Sequence, residues 1–167
     1  DAAQAVVLET LREAVELGIA EPRLIGDGPE ILALCRDMGW TVEPGWLVDS
    51  APDDAAAIRA VAMVREGAAD IVMKGNLHTD VFMRALLDSE KGLRLPGRRV
   101  SRVYVVETEG YDRLIGITDA AINIAPDLNA KVQICQNAVE AFHALGVEMP
   151  RVAVLSAVET VTTAIVS

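Results

Sequence analysis

Along the chain, short apolar runs alternate with longer stretches in which apolar residues recur three and four positions apart, the respective patterns of strands and amphipathic helices. Leu8, Leu11, Ala14 and Val15 predict an opening helix that Gly18 stops. Pro22 to Ile25 predicts a short strand. Gly26-Asp27-Gly28-Pro29 then turns into a second helix, with Asp27 or Gly28 as cap and Pro29 at the first helical position. This turn is not a dinucleotide fingerprint, because Ile31 stands where the third glycine of G-x-G-x-x-G belongs. Trp46 to Val48 reads as the next strand. Ser50 to Asp54, with Pro52, opens a helix through Ile58, Val61, Ala62 and Val64 that runs to Gly67. Ile71 to Met73 follows as a buried strand, and Val81, Phe82, Ala85 and Leu86 return to helical spacing. This alternation predicts parallel β-α-β units and an α/β fold class. Trp40 and Trp46 read as packing residues.

The texture then changes. Val103 to Val106 and Leu114 to Thr118 predict an antiparallel hairpin around the turn-rich link from Glu107 to Asp112. After Asp119 a polar loop leads through Pro126 and Asp127 into a long helix at 128–145, with Val132, Cys135, Val139 and Phe142 on one side and Gly146 as its stop. Arg151 to Leu155 reads as another buried strand, with residues 156–163 emerging from its carboxyl end. Pro96-Gly97 reads as a hinge, which divides the chain into a first α/β lobe at 1–97 and part of a second lobe at 98–167.

Composition narrows this picture. Two Trp, two Tyr and two Phe are the whole aromatic content of a chain that is 51% hydrophobic, so Ala, Val, Ile and Leu must fill the core, as in sheets covered by helices on both faces. No apolar run approaches the roughly 20 residues that span a bilayer, and no basic region followed by an apolar core opens the chain. A cytoplasmic protein without membrane contact is the expectation. Cys35 and Cys135 lack the spacing of a metal site or redox pair, and with only His78 and His143 beside them no zinc cluster is expected; the thiols are read as reduced and no metal is assigned. A net charge of −10 argues against a nucleic-acid partner.

Charge distribution says more than the total. Lys91, Arg94, Arg98, Arg99 and Arg102 place five of the chain's 15 basic residues in one short stretch. Either this is a solvated turn or it is a local patch for a polyanionic ligand. Just upstream, residues 69–88 run from an apolar strand into polar residues that open a helix, the layout of an anion site. Lys74 and Arg84 supply positive charge there, and the fork of Arg84 suits paired phosphate oxygens, with a surface salt bridge as the alternative. Gly75 lets the backbone approach a ligand, Asn76 holds the loop, and His78 is either a hydrogen-bond donor to substrate or a structural residue. Thr79 as N-cap and Asp80 in the first turn read as capping residues.

Lys74, Gly75, His78, Thr79 and Arg84 make a strand-loop-helix that resembles the phosphate acetyltransferase and phosphate butyryltransferase family. Residues 116–161 resemble the family's other signature, and the likeness extends more loosely from Asp1 to Ser167. The resemblance implies a three-layer α/β/α fold with a mostly parallel sheet and two lobes flanking a cleft, like the isocitrate and isopropylmalate dehydrogenases. It implies reversible transfer of a short acyl group between coenzyme A and inorganic phosphate, with acyl-CoA and phosphate as partners and CoA as substrate or product rather than cofactor. A homodimer through the second lobe is likewise implied.

Carried onto this chain, the resemblance adds Ser101 as substrate-facing, although the family's Leu-Ser-His is here Val100-Ser101-Arg102. Asp119 and Asn123 fall where polar residues would face the cleft, Asp127 is read as a helix cap, and Ala120 and Ala121 either border an acyl pocket or pack in the core. Ser101, Asp119 and Asn123, with Lys74, Gly75, Asn76, His78, Thr79 and Arg84, are the expected substrate-binding residues. The family's catalytic serine, arginine and aspartate are expected beyond Ser167, which makes the 167 residues a fragment that binds without turning over. Two other readings stay open: a noncatalytic acyl-CoA-sensing regulatory domain, like those fused to malic enzymes, and a dehydrogenase of the same fold. Against the latter stands the lack of clustered metal-binding aspartates and of a nucleotide motif.

Overall fold

A computed structural model describes residues 1–51, 53–120, 122–156 and 160. Pro52, Ala121 and most of the predicted 156–163 segment lie outside the described residues. The chain divides into two compact units, Asp1–Arg94 and Leu95–Ser167.

The first unit carries α1 (Ala5–Glu16), β1 (Leu24–Gly26), α2 (Gly28–Asp37), β2 (Leu47–Asp49), α3 (Asp54–Arg65) and α4 (Thr79–Leu87). β1 and β2 pair in parallel, Leu24 opposite Leu47 and Gly26 opposite Asp49, with α2 as the crossover between them. The core gathers on this unit because its apolar stripes face one another: Leu8 of α1, Leu24 of β1, and Ile31 and Cys35 of α2 are all essentially inaccessible. Trp40 packs on that cluster and lies 5.8 Å from Trp46, ring centre to ring centre, so both tryptophans are packing residues. The Cys35 thiol is pushed up by burial, which keeps it protonated and inert.

α2 begins as its sequence demands. The Asp27 side chain accepts from the Glu30 N–H at 2.9 Å, so Asp27 is the cap and Pro29 stands second in the helix rather than first. Asp49, at the end of β2, accepts from the Gly28 N–H at 2.9 Å and ties the strand to the same helix start. Asp27→Ala is expected to cost about 1 kcal/mol in chemical denaturation; a loss near zero would mean that Asp49 alone suffices to hold the turn.

Ile71 to Met73 does not form the expected strand, and Ile71 is 83% exposed. Among the described residues no backbone hydrogen bond from another segment reaches these three residues, and β-branched side chains alone do not hold a chain extended. The main chain that follows is anchored all the same: the Asn76 N–H donates to the Asp1 carbonyl at 2.9 Å, and the Ala2 N–H donates to the Ile25 carbonyl at 2.8 Å. Residues 1 and 2 therefore lie between β1 and the loop that precedes α4.

The second unit carries β3 (Tyr104–Thr108), β4 (Tyr111–Ile117) and α5 (Leu128–Ala144). β3 and β4 form the antiparallel hairpin, Tyr104 opposite Ile117 and Thr108 opposite Tyr111, with an irregularity between Val106 and Thr108. Gly110 turns it at φ +79°, a left-handed conformation that favours glycine. Every residue of β3 is exposed. The ring of Phe142, on α5, lies directly against Gly116, where an added Cβ would overlap its edge. Asp127 caps α5, accepting from the Ala130 N–H at 2.7 Å. The expected buried strand at 151–155 is absent, with Val154 84% and Leu155 90% exposed. The reason is the same as at Ile71: no ladder partner among the described residues. The described strands thus make one parallel and one antiparallel pair in a mixed α/β protein.

Candidate functional site

In the first unit the polar residues 74–79 lead straight into α4. His78, not Thr79, is the N-cap residue, with extended φ and ψ and no side-chain cap, so Thr79 is already helical. The expected threonine cap is therefore not formed: Thr79 does not close this helix end, because its own N–H belongs to the first turn. Those first N–H groups have no side-chain acceptor, and an uncapped helix start is where an anion is most favoured. Asp80 stands in the first turn as expected.

Around this helix start the loop is held by main chain. Gly75 passes so close to the Asp1 carbonyl that any Cβ would overlap the oxygen, while Val7 Cγ1 would stand at 3.3 Å. The neighbouring Asn76 N–H bonds that same carbonyl, leaving the Asn76 side chain exposed. Lys74 is exposed, and its ammonium lies 3.5 Å from the Gly75 carbonyl, too far to be fixed by it. Arg84, one turn further, pairs with Asp80 at 3.2 Å and reaches Asp54 at 4.0 Å, with its side chain 67% exposed. Exposed pairs of this kind are weak, so the guanidinium is anchored yet exchangeable.

Beside Arg84 a depression of about 250 Å³ is lined by Ile58, Val61 and Val81, with Asp54, Arg84 and Lys91 at its rim. Lys91 is presented there by a tight turn in which Asp88 accepts from the N–H groups of Lys91 at 2.7 Å and Glu90 at 2.9 Å. Those two donors hold the Asp88 carboxyl below its ordinary value. The Arg65 guanidinium fastens the turn to α3 by donating to the Glu90 carbonyl.

In the second unit the structure joins Ser101, Asp119 and Asn123 in one polar cluster. Asp119 accepts from the Arg102 N–H at 2.8 Å with one oxygen; with the other it accepts from the Asn123 N–H at 2.8 Å and from the Asn123 amide. Burial alone would raise the Asp119 carboxyl, but these donors, with the Arg102 charge, outweigh it and the group lies below its ordinary value. Asn123 also donates to the Val100 carbonyl at 3.0 Å, and Thr118 to the Arg102 carbonyl at 2.8 Å. Asp119 and Asn123 therefore clasp the segment 100–102 and fix the backbone that carries Ser101.

Three arginines of the basic stretch, Arg98, Arg99 and Arg102, lie in this unit and are engaged by neighbouring side chains. Arg98 binds Glu140 and the Asn137 carbonyl oxygen of α5, and Arg98 together with Gln136 holds the Glu140 carboxyl below its ordinary value. Arg99 donates its N–H to Gln133 at 2.9 Å and its guanidinium to Asn123 at 2.9 Å. Arg102 lies 5.7 Å over the Tyr104 ring. Gln133, Asn137 and Glu140 escaped the sequence reading. Their spacing of four and three puts them on one helical face, and that polar stripe was the available signal. Among the described residues no group of three or more His, Cys, Asp or Glu is placed to hold a metal ion, and no helix is long and apolar enough to cross a membrane.

The family model described as phosphate acetyl/butaryl transferase matches residues 48–164. A phosphate butyryltransferase of Clostridium acetobutylicum is 43% identical over 155 residues, 93% of this chain and 51% of its own length. A phosphate acetyltransferase of Rhizobium meliloti is 44% identical over 155 residues, 93% of this chain and 49% of its own. Among solved structures, a branched-chain phosphotransacylase from Enterococcus faecalis superposes with a TM-score of 0.76 at 29% identity, covering 98% of this chain and 56% of that one. The chain spans about half the length of the relatives it matches.

Proposed function

Because the chain belongs to the phosphate acetyl/butaryl transferase family, we propose that the protein carrying it transfers a short acyl group reversibly between coenzyme A and inorganic phosphate. A phosphate oxygen attacks the thioester carbonyl, the carbon–sulfur bond breaks, and free CoA and an acyl phosphate result; the reverse reaction returns the acyl group to sulfur. Both substrates are anions and no redox change occurs, so the task is to gather negative charge, align the reacting atoms and stabilise the developing oxyanion.

One observation carries the reading: the uncapped start of α4, with Lys74 before it and Arg84 one turn in, stands inside the family match. In this reading the free N–H groups, Lys74 and Arg84 bind anionic oxygens, and Gly75 and Asn76 set the loop. His78 and Thr79 stand at its mouth as donors. Ser101 is taken as a further substrate-facing hydroxyl, and Asp119 and Asn123 hold the segment 100–102 that bears it. The two lobes at 1–97 and 98–167, the three-layer isocitrate and isopropylmalate dehydrogenase-like architecture, a homodimer and a cytoplasmic location belong to the same proposal. Exposed apolar residues of the hairpin, Tyr104, Val105 and Ile117 among them, favour a partner surface there.

The test uses the full-length protein with acetyl-CoA and butyryl-CoA. Phosphate-dependent release of the CoA thiol is expected, and Arg84→Ala is expected to raise the phosphate KM about tenfold by removing one charge-assisted contact. Saturable acyl-CoA binding without thiol release would overturn the reading in favour of a sensor domain.

A further inference from the structure

Ser101 has a neighbour that decides which way its hydroxyl works. The Asn137 amide, half-buried on α5, donates to the Ser101 Oγ at 2.9 Å and to the Arg99 carbonyl at 2.8 Å, while its oxygen accepts from the Arg98 guanidinium at 3.1 Å. This orientation is dictated by chemistry. A carbonyl only accepts and a guanidinium only donates, so the amide nitrogen must face Arg99 and Ser101 and its oxygen must face Arg98. Both amide hydrogens are thereby committed, and Ser101 receives one of them.

A serine hydroxyl has one proton and two lone pairs. With one lone pair occupied by Asn137, the proton must point elsewhere, and among the described residues it meets no acceptor. The segment that bears it is held on both sides, by Asp119 and Asn123 through the Arg102 N–H and Val100 carbonyl, and by Asn137 through the Arg99 carbonyl. Ser101 is thus half-buried, fixed in place, and supplied with a proton that has no partner among the described residues. We infer that Asn137 is a positioning residue that turns the Ser101 hydroxyl into an outward hydrogen-bond donor for an oxygen of the bound phosphate. This rests on the transferase reading for the identity of the anion, while the geometry that orients the hydroxyl does not depend on it.

Asn137→Asp is the sharpest probe, since it keeps shape and reverses function. A carboxylate accepts only, so it would take the Ser101 proton for itself and withdraw it from the ligand. In the full-length protein, inorganic phosphate binding is measured by calorimetric titration for wild type, Ser101→Ala, Asn137→Asp and the double variant. Each single change is expected to weaken phosphate binding about tenfold, the loss of one hydrogen bond to a charged group. The double variant is expected to be no weaker than the singles, because both remove the same contact, whereas independent effects would multiply to about a hundredfold.

Asn137→Gln keeps both donors and is expected to lose less than Asn137→Asp. A loss as large as that of Asn137→Asp, multiplicative behaviour in the double variant, or unchanged binding in Asn137→Asp would overturn the inference. If Ser101→Ala leaves phosphate binding unchanged while thiol release continues, the inference falls and the transferase reading stands. If wild type releases no thiol yet the binding cycle behaves as described, the transferase reading falls and the inference stands.

Discussion

Gly75→Ala is expected to destabilise the first unit by about 2 kcal/mol and to weaken phosphate binding along with it. The cause is steric. The backbone of Gly75 is not in the left-handed region, so alanine is not excluded by φ; it is excluded because its Cβ would overlap the Asp1 carbonyl oxygen and crowd Val7. Relief requires the loop or residues 1 and 2 to move. Either movement stretches the Asn76–Asp1 hydrogen bond and, one residue on, the bond from Ala2 to Ile25. The start of α4 then loses its fixed position.

Urea denaturation and phosphate titration on the full-length protein read the two effects. Asn76→Ala is the control, expected to stay within about 0.5 kcal/mol of wild type because its main-chain N–H is untouched. Wild-type stability in Gly75→Ala would show that the close approach has room to give.

Asp119→Ala is expected to cost the second unit about 2–3 kcal/mol at neutral pH, because three donors lose one charged acceptor and the site is only half open to water. The pH dependence gives the prediction its sign. The folded carboxyl titrates below its unfolded value, which is near 3.9. Its contribution is therefore complete above the unfolded value and is lost as pH falls through the folded one. The stability difference between wild type and Asp119→Ala should be flat from pH 7 to about 5 and should shrink below about pH 4. Urea midpoints at a series of pH values measure it, and a difference that persists undiminished at pH 2 would show that the lost contact is not that of an ionised carboxylate.

Helices were the legible part of this chain. Their starts and stops are local events: Asp27 and Asp127 cap α2 and α5 through an N–H three residues on, and Gly18 and Gly146 reverse the chain at positive φ. Strands were less legible because an apolar run does not state its partner. Leu24–Gly26 and Leu47–Asp49 find each other, whereas Ile71 to Met73 and the 151–155 segment, equally apolar, meet no ladder among the described residues.

The site divides in the same way. The 74–84 segment is contiguous, so its loop-to-helix layout could be read from spacing. What Arg98, Arg99 and Ser101 do could not, because their partners Gln133, Asn137 and Glu140 lie 34 to 42 residues away, on a helix whose polar side looks like any solvated face. Asp119 and Asn123 were visible as a polar pair, but their acceptor and donor groups are the backbone of residues 100–102, which carries no side-chain signature.

The Phe142 ring on Gly116 has a consequence for how the hairpin is assembled. A two-stranded ribbon exposed along β3 has little to choose between neighbouring alignments, since sliding by one residue exchanges one wet face for another. The ring fixes one of the two strands. It accepts only a position without a side chain, and a slip in either direction would bring Ile115 or Ile117 beneath it. Gly116 therefore serves as an index mark: it sets where α5 settles along β4, at the residue that pairs with Val105 of β3.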